Sequence, residues 1–264
     1  HSFSRRQRQM CIRDRRRVSI MAHDIAKKKE QLPTVINFAE DASDGIGDLS
    51  AQDFAIPYLV ILQKMSPQTD THDVKAGEIF NTVTEKAAKE LVVVPCAYTR
   101  NFVEWVPRDN GGGLVGVHNI NSLPEHSRVD NKLVTKAGNI LVETANHFVL
   151  TVDGNNVDRG LICMTSTQLK KNRRWNSLMA GIKMTDANGK LFSPARYSHL
   201  YKLTTMQEKN DQGSWFGWDI SLVKQLDDQG IYALAKDFAS QVKSGAVQAG
   251  PPPSDDQGPV SEDF

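Results

Sequence analysis

Between residues 90 and 220 the apolar positions recur with the periods of β-strands, broken once by a helical period. "LVVVPCAY" (91–98) is a β-branched run, and "NFVEWVP" (101–107) alternates Val103 and Trp105 against Phe102 and Glu104. "GGGLVGVH" (111–118) reads as a glycine-led loop entering a strand. "ANHFVLTV" (145–152) and "VDRGLICM" (157–164) flank Asp153-Gly154-Asn155-Asn156, a strong hairpin signal. The period then changes. From Ser166, read as an N-cap, Leu169, Leu178, Met179 and Ile182 fall at helical spacing up to residue 182.

Two more strand-like runs follow, 196–207 and 214–223, joined by Asn210-Asp211-Gln212-Gly213. A last helix is expected over 230–245, with Tyr232, Leu234, Ala235, Phe238 and Val242 inward and Gly245 as its stop. Strands, a hairpin, a helix and a second hairpin make a mainly β (α+β) fold. An OB-fold-like Greek-key barrel accommodates the order, because its helix sits between the third and fourth strands. Other α+β arrangements produce the same string. Residues 51–245 are taken as this domain. Residues 21–50 read as an acidic, flexible N-terminal arm, ordered only near "FAIPYLVILQKMSPQ", a short packed helix or strand. Residues 246–264 read as a disordered acidic tail.

The charge distribution sharpens this picture. The formal net charge is +1, but residues 1–20 hold seven arginines against Asp14 alone. That stretch lacks the apolar core of a signal peptide and reads as a non-native lead, with Met21 as the natural start. From Met21 onward the balance is −5. Within this mildly acidic chain, residues 159–202 carry nine basic residues against Asp186, a +8 block. Residues 251–264 carry Asp255, Asp256, Glu262 and Asp263 with no cation, and end on Phe264. A field concentrated in this way suits a polyanion.

Inside the block, Lys170, Lys171, Arg173 and Arg174 precede Trp175 directly. On a helix Lys170, Arg173 and Arg174 share one face. Cations for phosphates beside a flat ring for a base are what unpaired nucleic acid requires, although a tryptophan there equally anchors a helix to a core. Arg100 and Arg108 bracket a second aromatic strand bearing Phe102 and Trp105. Tyr201, Lys202 and Trp215 extend the list, on the understanding that some of these rings must build the core.

No G-x-S-x-G, H-E-x-x-H or Walker loop occurs, so no enzymatic activity is expected. Cys11, Cys96 and Cys163 lack ligand or disulfide spacing, and the seven histidines are dispersed. Neither a metal nor a cofactor is expected. No apolar run has the length of a membrane span.

A barrel-like body with a basic aromatic surface and a tail closing on "SEDF" resembles phage single-stranded DNA-binding proteins of the T7-like type, whose acidic ends also close on Asp-Phe. "GEIFNTVT" (77–84), "FVEWVPR" (102–108) and "STQLKKNRRWNSLM" (166–179) are similar to segments of a family common in environmental phages. The resemblance implies a protein of the infected host's cytoplasm that coats transient single strands during replication and recombination. It implies a tail, through Asp255, Asp256, Glu262, Asp263 and Phe264, that docks phage DNA polymerase or primase-helicase while competing with DNA for the basic groove. Self-association is left open. The alternatives are a strand-annealing accessory or a virion or scaffold protein, and a nuclease fits poorly.

Overall fold

A computed structural model describes residues 55–211 and 213–250. The expected lead, the acidic arm up to residue 50 and the tail from Pro251 to Phe264 lie outside the described residues.

The body is mainly β, built on one large antiparallel sheet. A small sheet precedes it: β1 (Leu59–Ile61), β2 (Ile79–Asn81) and β3 (Ala87–Ala88), with a short helix α1 (Gln68–Thr71) between β1 and β2. The segment left open as helix or strand is therefore a strand, and it lends Leu59 to the main core. The large sheet is organised around β4 (Glu90–Trp105), a single 16-residue strand where the sequence suggested two runs.

β5 (Leu114–Asn119), β6 (His126–Val129), β7 (Lys132–Thr135), β8 (Ile140–Asp153) and β9 (Asn156–Thr165) follow. Beyond them come helix α2 (Leu169–Gly181), a hairpin β10 (Met184–Thr185) and β11 (Leu191–Phe192), strands β12 (His199–Asn210) and β13 (Gly213–Gln225), and helix α3 (Gln229–Ser244). Both long hairpins form where the turn residues placed them, with Asp153 opposite Asn156 and Asn210 opposite Gly213. Gly154 takes the positive φ that the first turn needs.

Strands β4 and β8 are long enough to serve two half-sheets. Residues 90–93 of β4 pair with β12, and residues 101–105 pair with β5. On the other side β8 pairs with β9 over 144–153 and with β7 at its start. One half thus runs β13-β12-β4-β8-β9 and the other β5-β4-β8-β7-β6. Among the described strands neither β13 and β9 nor β5 and β6 join, so the sheet is open and the expected Greek-key barrel does not close.

The physical reason is that both faces of the first half are buried. Val93, Val149, Ile162, Met164, Tyr201 and Leu203 pack on one face with Trp175 of α2. Val94, Phe148, Leu150, Leu161 and Leu200 pack on the other with Ala235, Phe238 and Val242 of α3. A sheet covered by a helix on each side has two apolar faces, whereas a barrel has one inside. The unbroken apolar runs "LVVV" and "LICM" are the signature of two-sided burial.

Pro95 has no N–H for the ladder, and beside it Cys96 bulges out of register between Pro95 and Ala97. Tyr98, rather than Ala97, consequently continues the face of Val93. The free edge of β13 is blunted by side-chain amides. Gln63 Oε1 accepts from Phe216 N–H at 2.8 Å and Gln168 Oε1 from Trp218 N–H at 3.0 Å.

The helices match their sequence signals with three adjustments. Tyr232 and Leu234, expected inward on α3, are exposed, and its buried stripe is Ala235, Phe238 and Val242. Ser166 does not cap α2; it adopts a positive φ and opens a 3-10 turn (Ser166–Gln168) that leads into the helix. Asp228 caps α3, its carboxylate accepting from Ile231 N–H at 2.9 Å, and Gly245 ends it in the left-handed conformation. Residues 246–250, assigned by sequence to the disordered tail, pack on the body instead. Val247 is buried and its N–H returns to Gln241 O, while Tyr58 OH donates to Gly250 O at 2.7 Å.

Candidate nucleic-acid interface

Helix α2 sorts its residues by period. Asn172 and Trp175 point into the sheet and are buried, so Lys170, Arg173, Arg174 and Ser177 point outward and are exposed. The one-face arrangement of Lys170, Arg173 and Arg174 expected from spacing is therefore present. Lys170 and Arg173 form no ion pair with a described residue, and Arg174 only approaches Asp219 at 3.9 Å. Lys171 turns toward the sheet, where its ammonium meets Glu208 at 2.6 Å.

The other expected cations stand apart. Arg100 pairs with Glu143 at 2.8 Å and Lys202 with Glu90 at 2.5 Å. Arg108 is exposed in a 3-10 turn beyond β4, on the β5 half of the sheet. The structure thus brings Lys170, Arg173 and Arg174 together and leaves Arg100, Arg108 and Lys202 elsewhere.

The aromatic positions need the larger correction. Trp175 and Tyr201 are fully buried and Trp105 is nearly so. Trp175 stacks on His147 with ring centroids 4.5 Å apart and meets Tyr201 edge-on at 5.8 Å. Trp105 packs with Val103 and Val142. None of the three faces is open to a stacking base; a helix over a two-sided sheet needs a large anchor, and burying one contributes a few kcal/mol.

Trp215 is half-buried on β13, its Nε1–H donating to Glu208 Oε2 at 3.1 Å. Glu208 therefore bridges Trp215 and Lys171. Phe192 was missed by sequence reasoning. It is 42% exposed beside the more exposed Leu191 on the β10–β11 hairpin, which Lys183 precedes and Lys190 enters. The legible signal was the Asn188-Gly189 turn, a hairpin dipeptide inside the basic block. There Asp186 Oδ1 accepts from the N–H groups of Asn188 and Lys190, both at 2.9 Å.

Beneath α2 lies a polar network that no sequence pattern announced. His147 is fully buried, and its Nε2 lies 2.8 Å from Asn172 Oδ1. Arg196 donates through Nη2 to His147 Nδ1 at 2.8 Å and to Asn176 Oδ1 at 3.0 Å. Asn176 in turn donates to Asn172 Oδ1 at 2.9 Å. The Arg196 guanidinium also lies over the Tyr98 ring, 5.2 Å from its centroid.

Burial first, and the neighbouring Arg196 charge second, push the His147 pKa down to about 3, so the imidazole is neutral. Burial lowers Arg196 to about 10, which leaves it charged at neutral pH. The network therefore carries a net positive charge, and among the described residues no carboxylate bonds to it.

A second buried charge, Glu104, lies on the other half of the sheet. Its Oε1 accepts from Asn139 Nδ2 and its Oε2 lies against His118 Nε2, both at 2.7 Å. The Asn139 hydrogen bond, outweighing burial, holds the carboxyl below its usual range. Cys96 and Cys163 are buried, and burial raises the Cys96 thiol to about 12, so neither is a surface nucleophile.

Comparison with known proteins gives one family. A family model described as Pam3 phage gp34-like protein matches residues 26–248. No curated protein matches the chain, and no solved structure does.

Proposed function

We propose, for a chain that belongs to the Pam3 phage gp34-like protein family, that it binds single-stranded DNA through the outward face of α2. The observation that carries this reading is the trio Lys170, Arg173 and Arg174. A buried tryptophan and asparagine hold the three on one exposed helix face; among the described residues Lys170 and Arg173 have no ion-pair partner, and Arg174 meets Asp219 only at 3.9 Å. Unneutralised cations on a rigid element track phosphates, and their affinity falls with salt. Phe192 and Trp215 supply the accessible rings that Trp175, Tyr201 and Trp105 do not.

The scaffold in this reading is an open sheet between two helices rather than an OB-like barrel. The acidic tail, with Asp255, Asp256, Glu262, Asp263 and Phe264, is proposed to dock a phage polymerase or primase-helicase during replication. A chain ending at Gly250 is the comparison that assigns it. The test of the main reading is titration of oligo-dT against intrinsic tryptophan fluorescence over a range of salt. Tight binding at low salt, with a steep salt dependence and a clear preference over duplex, is the expected result. Absence of binding at low salt, or equal affinity for duplex, would overturn it.

A further inference from the structure

Among the described residues the large sheet has four open edges, at β13, β9, β6 and β5. Three of them are blunted. Side-chain amides of Gln63 and Gln168 occupy the β13 edge. The chain entering β1 meets the β9 edge, where Leu161 N–H donates to Pro57 O at 2.9 Å and Tyr58 bridges to Leu161. β6 is only four residues long and carries Arg128. Covering groups, short strands and charges are what keep a sheet edge from recruiting another strand.

β5 lacks all three. Its six residues, Leu114 to Asn119, include no Lys, Arg, Asp, Glu or Pro, and among the described strands they pair with β4 alone. The bulge at Val115 lies near the start and leaves 116–119 in unbroken register. Leu114, Val115 and Val117 are exposed, as is Ile120 just beyond.

The apolar rows of this half-sheet also end unfinished at β5. Val103 of β4 pairs with Val142 on one side and Val117 on the other, and Trp105 pairs in the same way with Ile140 and Leu114. Val103 and Trp105 are 2% and 8% exposed, whereas Val117 and Leu114 are 43% and 44% exposed. A further apolar strand outside β5 would complete both rows and pair the backbone groups of the edge.

What β5 lacks also selects its occupant. A charged partner is met by complementary charge, as on the face of α2, and β5 offers none. It suits a strand that is itself uncharged and apolar, and the β5 of a second copy is such a strand. Antiparallel pairing about a twofold axis keeps the same sheet face on the same side in both copies, so Leu114 and Val117 of one meet those of the other. It also sets the Arg108-Asp109 entry of each strand toward the exit of the other, over 119–124, which is uncharged, so like charges do not meet.

We infer that a second copy of this chain pairs along the free edge of β5 and joins two half-sheets into one across a twofold axis. Helix α2 packs on the other half of the sheet, so its cationic face takes no part.

The experiment follows the full chain by analytical ultracentrifugation over a concentration series, with hydrogen–deuterium exchange of the peptide covering 114–119 in parallel. A monomer–dimer equilibrium is expected, and exchange across 114–119 should slow as concentration rises. Val117→Lys should weaken the dimer by about tenfold, because each copy then sets a charge against its mate at the edge. Val115→Lys should do the same. Leu222→Lys, at an equally exposed apolar position on β13, should leave the dimer intact. A chain that stays monomeric throughout, or a dimer in which 114–119 exchanges as fast as in the monomer, would overturn the pairing. So would a dimer that survives both β5 lysines, or one lost equally in Leu222→Lys. Should a variant fail to fold, exchange in the unaltered chain still decides.

Discussion

Nη2 of Arg196 lies 2.8 Å from Nδ1 of His147, so a charged guanidinium holds a buried imidazole neutral with its proton on Nε2. The folded pKa of His147 is about 3, against 6.5 for the ordinary group. Between those values the unfolded chain binds a proton that the folded chain refuses, so stability rises with pH across this window and is lost on acidification.

The corresponding prediction is that the urea midpoint falls as pH is lowered below about 6.5, with an upper bound of about 5 kcal/mol for this residue at 1.36 kcal/mol per unit. His147→Gln should be less stable at neutral pH and flatter between about pH 3 and 6.5. An unchanged acid limb would place the sensitivity in the carboxylates instead.

Replacing Lys170, Arg173 and Arg174 together by Ala should lower the slope of log affinity against log salt for oligo-dT by about 2, at roughly 0.7 per phosphate contact. Lys171→Ala should leave the slope unchanged, because its ammonium is already engaged by Glu208. Fluorescence titration at several salt concentrations measures both.

Trp175→Ala should destabilise the fold by about 3–5 kcal/mol, the range for removing a large buried ring. In the milder Trp175→Phe variant the fluorescence quench on adding oligo-dT should persist. Trp215→Phe should remove most of it while leaving stability close to that of the unaltered chain.

Phe192→Ala should weaken oligo-dT binding by about 1–3 kcal/mol if its exposed ring stacks a base. Because the ring contributes little to the core, the melting temperature should stay nearly constant. Loss of both affinity and stability would instead mark the hairpin as structural.

Glu104→Gln should cost about 2 kcal/mol at neutral pH, the range for hydrogen bonds to a buried charge. The folded pKa of Glu104 is depressed, so its contribution is present above the unfolded value and is lost as pH falls through the folded one. The difference between variant and unaltered chain, read from urea curves, should therefore shrink in acid.

Much of the fold was legible because its signals are local. Asp153-Gly154 and Asn210–Gly213 marked two hairpins that formed in register, and Gly245 ended the last helix where expected. The run "LVVV" carried the two-sided burial that excludes a barrel, yet its significance depends on α3 reaching the face of Val94 and Leu150 from the far end of the chain. For the site, helical spacing alone placed Lys170, Arg173 and Arg174 together. It did not reveal that Lys171, one residue away, turns inward to Glu208.

Local periods and turn residues sufficed for most of the long strands, the two long hairpins, α2, α3 and the cationic face of α2, since these depend on residues a few positions apart. The short hairpins β6–β7 and β10–β11 escaped them. The tertiary structure decided which rings are buried, whether the sheet closes and where charges are compensated. Trp175 meets Tyr201, and His147 meets Arg196, across 26 and 49 positions of chain. Such contacts arise from packing two helices on opposite faces of a sheet, and no local pattern encodes them.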